Sequence, residues 1–360
     1  MAAAIQNSTG RTINNENTFH GGLRGIAFHP DFRSNGKFYV SVVEDRPANP
    51  AQFIYLSDAA AIEADSVLVE WSVNPDTFEV DEGSYRGVFR VGIPEYDHPI
   101  KQIGFNPVAK VGNEDYELLY IGHGDGSRES SVAGDGEGTN ALGKILRINP
   151  LLSGDDSYSV PATNPFVGNP DMLDEVYCLG HRNPHHMAFL PDGQLLVTEV
   201  GRDNIDEANL IVAGGNYGWS EREGAFVHPE LDTVSNGITA LPDDDARNDF
   251  IYLVIQFGHT GAVGDTFTSQ GLAGGFMMNN GSELDNQFFY VDFVKSGQLF
   301  HSTMNSIFDS QVQGAPDRLT VAQTYEAGLS FDHDESVDTG ALKTAMPVEN
   351  RVKKKTGSGL

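Results

Sequence analysis

A phrase that recurs along the chain constrains its fold more than any single residue does. GGLRGIAFHPDFRSNGKFYVSVVE opens at Gly21, HPIKQIGFNPVAKVGNEDYELLYIGHGDG at His98 and NPHHMAFLPDGQLLVTEV at Asn183, with a fainter copy, GGFMMNNGSELDNQFFYVDFVKSGQLF, from Gly274. Each holds a short strand, a turn rich in Pro, Gly or Asn, and a second strand of β-branched and aromatic residues, which is the pattern of a strand–turn–strand unit. The anchors Phe28, Phe105, Phe189 and Phe276 fall roughly 80 residues apart, a regular period of the kind that marks radial repeats. Helix signals are poor. Glycine makes up 40 of the 360 residues, and only 51–67 carry a helix-compatible run. The chain therefore reads as all-β, with the long period favouring a β-propeller over a sandwich. On such a scaffold the loops of several blades meet at one end of a central channel.

Charge narrows the partners. Lys and Arg number 23 against 51 Asp and Glu, a net charge of −28 with no long acidic tail to account for it. Nucleic acid and anionic membrane surfaces are repelled by such a surface. The acids suit a salty or extracellular medium, and some of them suit Ca²⁺; both can hold. The single cysteine, Cys178, lies in the apolar run VYCLG and reads as a small buried hydrophobe. No apolar run approaches the roughly 18 residues that a membrane helix needs. The opening MAAAIQNSTGRTINN has neither the basic nor the apolar region of a signal peptide. The basic tail RVKKKTGSGL reads as unstructured.

The polar residues concentrate in GHRNPHHMAFLPDGQLLVTEVGRDNIDEANLIVAGGNYGWS, from Gly180 to Ser220. Arg182 ends an apolar strand before an Asn-Pro turn; its planar fork suits an anionic ligand or a neighbouring acid. His181 and His185 are four apart, but Asn183-Pro184 between them breaks the helix a zinc pair would need. His185 and His186 point to opposite faces of a strand, so at most one faces a site. Asp206 and Glu207 at a strand entry can hold a metal, order a loop or face water. The loop IGHGDGSRESSVAGDGEG lacks the spacing of an EF-hand and reads either as a loose Ca²⁺ loop or as a solvated one. His98 sits at the turn before a repeat strand, with Asp97 beside it to tune its basicity. A neutral imidazole there can accept a hydroxyl proton.

GHRNPxxxAFxPxGxLLxTExG…DExNLIxxGGNYGW closely resembles the signature of the glucose/sorbosone dehydrogenase family, the soluble quinoprotein sugar dehydrogenases. GLRGIAFHPDF, HPIKQIGF…LLYIGHGDG and LGKILRINP followed by NPF match it in the same order. The resemblance covers roughly residues 20–225 well and 250–305 loosely. It implies a six-bladed propeller that binds pyrroloquinoline quinone (PQQ) and Ca²⁺ and oxidises an aldose at its anomeric hydroxyl, with electrons passing to an external acceptor. Carried over residue by residue, it puts the base on His98, makes Arg182 catalytic as the group that holds and polarises the quinone oxygens, puts further cofactor contacts on Asn183 and Asp206, and Ca²⁺ on the carbonyls of Gly201 and Arg202. It also implies a periplasmic or extracellular home.

Departures from the pattern are visible too. Val200 stands where the family has a polar residue, Arg202 replaces a proline, and Asn279 stands where a basic residue would meet a PQQ carboxylate; Lys295 is the candidate replacement. The expected organisation is an irregular segment 1–17, a propeller over 18–335 that is incomplete at both ends, and a C-terminal segment 336–360. The second functional reading is a non-catalytic propeller that binds a glycan or a protein, as in hedgehog-interacting relatives.

Overall fold

The structure, a computed structural model, describes residues 2–14, 21–45, 62–74, 76–94, 97–126, 138–228, 237–259, 268–278, 284–294, 298–310, 324–326, 329–330 and 353–354. Short helices are α1 (Ala2–Thr9), α2 (Phe32–Asn35) and α3 (Met304–Ser310). Apart from two 3-10 turns, Glu82–Ser84 and Asp245–Asn248, the other regular elements among the described residues are strands. The first sheet joins β1 (Gly22–Phe28), β2 (Lys37–Asp45), β3 (Ala64–Ser72) and β4 (Arg86–Ile93) in that order, and the second joins β5 (Ile100–Phe105), β6 (Leu119–His123), β7 (Lys144–Ile148) and β8 (Val176–Leu179). In the third, β9 (Pro184–Phe189), β10 (Leu195–Glu199) and β11 (Ile205–Leu210) are completed by β14 (Ile255–Gly258). Residues 211–254 lie between those last two strands and carry a small ladder of β12 (Phe226–Val227) with β13 (Thr239–Ala240). The fourth sheet is β15 (Leu272–Met278), β16 (Gln287–Asp292), β17 (Gln298–Thr303) and β18 (Thr324–Glu326).

These are blades of a β-propeller, four of them among the described residues. All pairings within a blade are antiparallel. The first strands β1, β5, β9 and β15 touch from blade to blade in sequence, so they line the axis while β4, β8, β14 and β18 lie outermost. The repeated phrase is the first two strands of each blade. Phe28, Phe105 and Phe189 close the inner strands and Phe276 sits inside the fourth. They are not core anchors throughout, since Phe28 and Phe276 are 55% and 50% exposed.

Each inner strand carries an irregularity near its start. Arg24 is the extra residue between the Leu23–Val42 and Gly25–Ser41 pairs, and Lys101 the extra one between Ile100–His123 and Gln102–Gly122. His185 holds the same position opposite Thr198 and Glu199, while Gly274 and Gly275 share it in the fourth blade. A bulge turns the local side chain out of alternation and sharpens the strand's twist. Four bulges at one height re-aim side chains at one level of the channel.

The core lies between blades. Leu68, Phe89, Ile103, Leu119 and Leu146 fill the first interface, Tyr120, Ile145, Cys178, Met187 and Val197 the second, and Leu196, Leu210, Phe257, Phe288 and Phe300 the third. Cys178 is buried, as its apolar run implies. The remaining face of the first blade needs a cover, because Phe38, Val40, Val67, Val69 and Trp71 are apolar. Ala4 and Ile5 of α1, with Ile13, supply it.

Within the segment expected to be irregular, the described residues 2–14 carry α1, ordered by the apolar face it shields. Two expectations change. Within the helix-compatible run 51–67, residues from Ala64 onward belong to β3, where two flanking strands pair them; 51–61 lie outside the described residues. In the tail read as unstructured, β20 (Lys353–Lys354) pairs antiparallel with β19 (Leu329–Ser330). Asn279, Lys295 and 127–137 of the acidic loop also lie outside the described residues. Among the described residues no helix is long and apolar enough to cross a membrane.

Ile5 is fully buried in this arrangement. Ile5→Ala is expected to cost about 2–5 kcal/mol, the range for emptying a tightly packed aliphatic site. Urea unfolding measures it, and a loss below about 0.5 kcal/mol, the scale of an ordinary surface substitution, would mean that α1 does not cover the blade.

Candidate active site

The loops that end β6 and β10 meet the loops that begin β5 and β9 at one end of the channel. His98 lies there, 4% exposed and held at a positive φ of 46°. Its Nδ1 is 2.5 Å from Asp125 Oδ1, and the other Asp125 oxygen accepts the Trp219 Nε1–H at 3.0 Å. Burial lowers the His98 pKa most, with Asp125 opposing. The imidazole is therefore neutral at physiological pH. An Nδ1–H donated to the carboxylate leaves Nε2 with its lone pair, the form a general base needs.

Asp97 raises the His98 pKa, as its place beside the ring suggested, but less than Asp125 does. One of its oxygens accepts the His98 backbone N–H at 2.8 Å, and the other lies 3.5 Å from Nε2. The carboxylate on Nδ1 is Asp125, 27 residues downstream. It sits in the GHGDG loop, and only the pairing of β5 with β6 brings it to His98. Gly124 makes the approach possible, because a Cβ there would fall 2.6 Å from His98 Cβ and 3.1 Å from the Arg182 carbonyl. That same carbonyl accepts the Asp125 N–H at 2.8 Å. His98 and Arg182 are thus tied through one residue.

The GHRN turn is fixed from behind by Glu199 at the end of β10, itself 2% exposed. Its carboxylate accepts His181 Nδ1–H, the Arg182 backbone N–H at 3.0 Å and Asn209 Nδ2–H at 2.9 Å. His181 also meets Cys178 Sγ at 3.2 Å and stacks on Tyr217. These contacts give it a structural role, and among the described residues it belongs to no metal-ligating cluster. Burial opposes a charge on His181, but Glu199 and Cys178 outweigh it and raise its pKa to about 10. Of the adjacent histidines, His186 donates to the Gly275 carbonyl at 2.9 Å, whereas His185 stacks on Phe293.

Arg182 lies over the Trp219 ring at 5.7 Å, with Nη1 donating to the Val200 and Gly201 carbonyls at 2.9 and 2.8 Å. Its Nε and the Oδ1 of Asn183 are buried without a hydrogen-bond partner. Adjacent orphaned polar atoms of opposite type fit a planar ligand that offers both an acceptor and a donor. Lys101, 4% exposed, and half-buried Arg24 add cations that the sequence reading missed. This set fits the quinone and three carboxylates of PQQ. The small cavity of about 10 Å³ behind Arg182 does not; it holds one water at most.

The turn assigned to Ca²⁺ fits that ion poorly. The Gly201 carbonyl is already bonded to a guanidinium. Asp206, expected to line the pocket as a cofactor contact, is fully buried and saturated. One Asp206 oxygen accepts from Gly201 N and His259 Nε2 at 3.0 and 2.8 Å, the other from Ser269 Oγ and Leu272 N at 2.7 and 2.9 Å. It shapes the turn and joins the third blade to the fourth. Glu223 caps the same turn, accepting the N–H groups of Asp203, Asn204 and Ile205. The Arg202 side chain pairs outward with Asp203 at 3.2 Å. A Ca²⁺ ion takes six to eight oxygens, and here the Gly201 carbonyl and both Asp206 oxygens already accept hydrogen bonds. Among the described residues the three-donor cluster lies elsewhere, at His29, Asp31 and Glu117. Glu207 borders the small cavity, where burial first and then Glu199 raise its pKa.

His181 and Glu199 make stability pH-dependent in a definite sense. A group whose pKa rises on folding contributes fully below its unfolded value of 6.5 and loses that contribution as the pH climbs through about 10. Urea midpoints should therefore fall between about pH 6.5 and 10, and His181→Gln should flatten the slope. Parallel profiles for the two proteins would rule out this pair as its source.

Comparison with known proteins agrees with this architecture. A sequence profile described as Glucose / Sorbosone dehydrogenase matches residues 4–228. The chain is 29% identical to HIPL2 protein of Arabidopsis thaliana over 255 residues, 61% of this chain and 35% of that one. It is 30% identical to quinoprotein glucose dehydrogenase B of Acinetobacter calcoaceticus over 207 residues, 55% of this chain and 39% of that one. It thus spans well under half the length of both. Among solved structures, the PQQ-bound aldose sugar dehydrogenase of Streptomyces coelicolor superposes with a TM-score of 0.54 at 22% identity, over 89% of this chain and 69% of that one, a likeness of fold. With more than half of its length matched, the chain belongs to the glucose/sorbosone dehydrogenase family.

Proposed function

We propose that the chain is a PQQ-dependent oxidoreductase that oxidises the anomeric hydroxyl of an aldose to a lactone. The observation that carries this reading is the buried neutral His98, locked through Nδ1 on Asp125 beside the unsatisfied atoms of Arg182 and Asn183. PQQ, when bound, supplies the carbon that accepts hydride. The chain's own groups do the rest. His98 Nε2 takes the hydroxyl proton, and the carboxylate of Asp125 stabilises the imidazolium that forms. Trp219 holds both Asp125 and the Arg182 guanidinium in place. Arg182 and Asn183 orient the quinone, and an external acceptor removes the electrons. The same reading puts the protein in the periplasm or outside the cell. No step is assigned to calcium, because the Gly201 carbonyl serves Arg182.

That last contact favours the second reading, a propeller that binds a glycan or protein partner without redox chemistry. Turnover separates the two. His98→Gln is expected to lower kcat about 10²–10⁴-fold, the usual worth of a positioned base, while PQQ binding followed by absorbance stays intact. Sugar oxidation at an unchanged rate in this variant would remove His98 from the mechanism. A folded chain that binds no PQQ would leave the binding module standing.

A further inference from the structure

The bulges of the inner strands do more than bend them. We propose that Arg24, Lys101 and His185, re-aimed by bulges at one height of three neighbouring blades, form a carboxylate-binding site in the channel beside Arg182 and His98. The argument begins with position. In an unbulged strand, residues one apart face opposite sides of the sheet. The extra residue in β1, β5 and β9 is in each case the cationic or titratable one. The strands are also close, for a Cβ at Gly25 would lie 3.2 Å from the Lys101 carbonyl.

The chemistry follows. Lys101 is 4% exposed, a burial rare for lysine, and the three groups act on one another. Burial lowers the Lys101 pKa first, then Arg24, with Asp97 opposing, to about 7. Burial, then Lys101 and Arg24, bring His185 down to about 3. Cations gathered this way disfavour each other's charge; Asp97 offsets part of that for Arg24 and Lys101, and a ligand carboxylate offsets more. His185, stacked on Phe293 and neutral, adds a ring donor and a flat apolar wall. A carboxylate on a small, ring-shaped ligand matches all three, because an Arg fork and an ammonium donate to its two oxygens. In a chain of net charge −28 this cluster is also a local reversal of the surrounding field.

The carboxylate has two possible sources, a bound PQQ or an acidic sugar, and the site deepens the proposed function without depending on turnover. The test measures binding by calorimetry and Trp219 fluorescence, with PQQ against its neutral trimethyl ester and glucuronate against glucose. The proteins are the native chain, Lys101→Met, Arg24→Gln and the charge-retaining Lys101→Arg. If PQQ is the source, Lys101→Met and Arg24→Gln each weaken PQQ about tenfold or more, spare the ester, and Lys101→Arg restores part of the loss. If the substrate carries the group, the native preference for glucuronate over glucose disappears in both variants while PQQ affinity holds. Loss of glucuronate binding in a chain that binds no PQQ would keep the site and end the quinoprotein reading. Unchanged carboxylate affinity in both variants overturns the site, even where PQQ is bound and sugar oxidised. Absence of carboxylate binding by the folded native chain overturns it as well. Should Lys101→Met fail to fold, added salt replaces it, and affinity for the winning ligand must fall with ionic strength.

Discussion

The functional end of the propeller depends on one buried carboxylate. Glu199 receives a ring N–H, a backbone N–H and an amide N–H from His181, Arg182 and Asn209. These come from one loop and a strand, so the carboxylate sets the path of GHRN against β10 and β11. Buried charge is costly unless every lone pair is used, and here the uses are all local. Removing it would leave the His181 and Arg182 donors without an acceptor, Asn209 keeping Glu207, and free the turn that points Arg182 at the Gly201 carbonyl. Asp206 and Glu223 repeat the device on the next turn. Acids that contribute to a strongly negative composition thus serve as internal struts, and the groups they aim are a base and cations.

The blades were legible because their first two strands carry a turn signal and a period. The outer two strands share no repeated motif; β7 showed only within LGKILRINP and β8 only as the apolar run VYCLG, while β18 is recognisable only by what it pairs with. His98, Arg182 and Asn183 could be read because each stands at a turn before an inner strand. Asp125 stood in plain view within GHGDG, yet no spacing rule links it to a histidine 27 positions earlier. Arg24 and Lys101 were hidden for another reason. Alternation assigns faces by counting, and a bulge breaks the count by one. Asp206 shows the opposite failure. Its place in the family pattern suggested a ligand contact, while four hydrogen bonds make it a strut.

The chain is strongly acidic as a whole, while one level of the channel gathers cations beside Asp97 and Asp125. An acidic exterior slows the approach of any anion at low salt, whereas the inner level concentrates Arg24, Lys101 and Arg182. Ligands that cross this boundary gain from shedding the outer field as they enter the inner one. The arrangement rewards depth of insertion over surface contact.

Three of the four blades are built by strands that follow one another closely, but the third waits for β14 across residues 211–254. Ring closure of so long a segment costs conformational entropy that nearby hairpins do not face. Trp219 and Glu223 ride on that excursion, so the partner of Asp125 and the cap of the Gly201 turn arrive only as the blade closes. The chain's two tryptophans consequently report on different parts of the fold. Trp71 lies inside the first blade, among strands close in sequence, whereas Trp219 rides on the long-range excursion that completes the channel mouth.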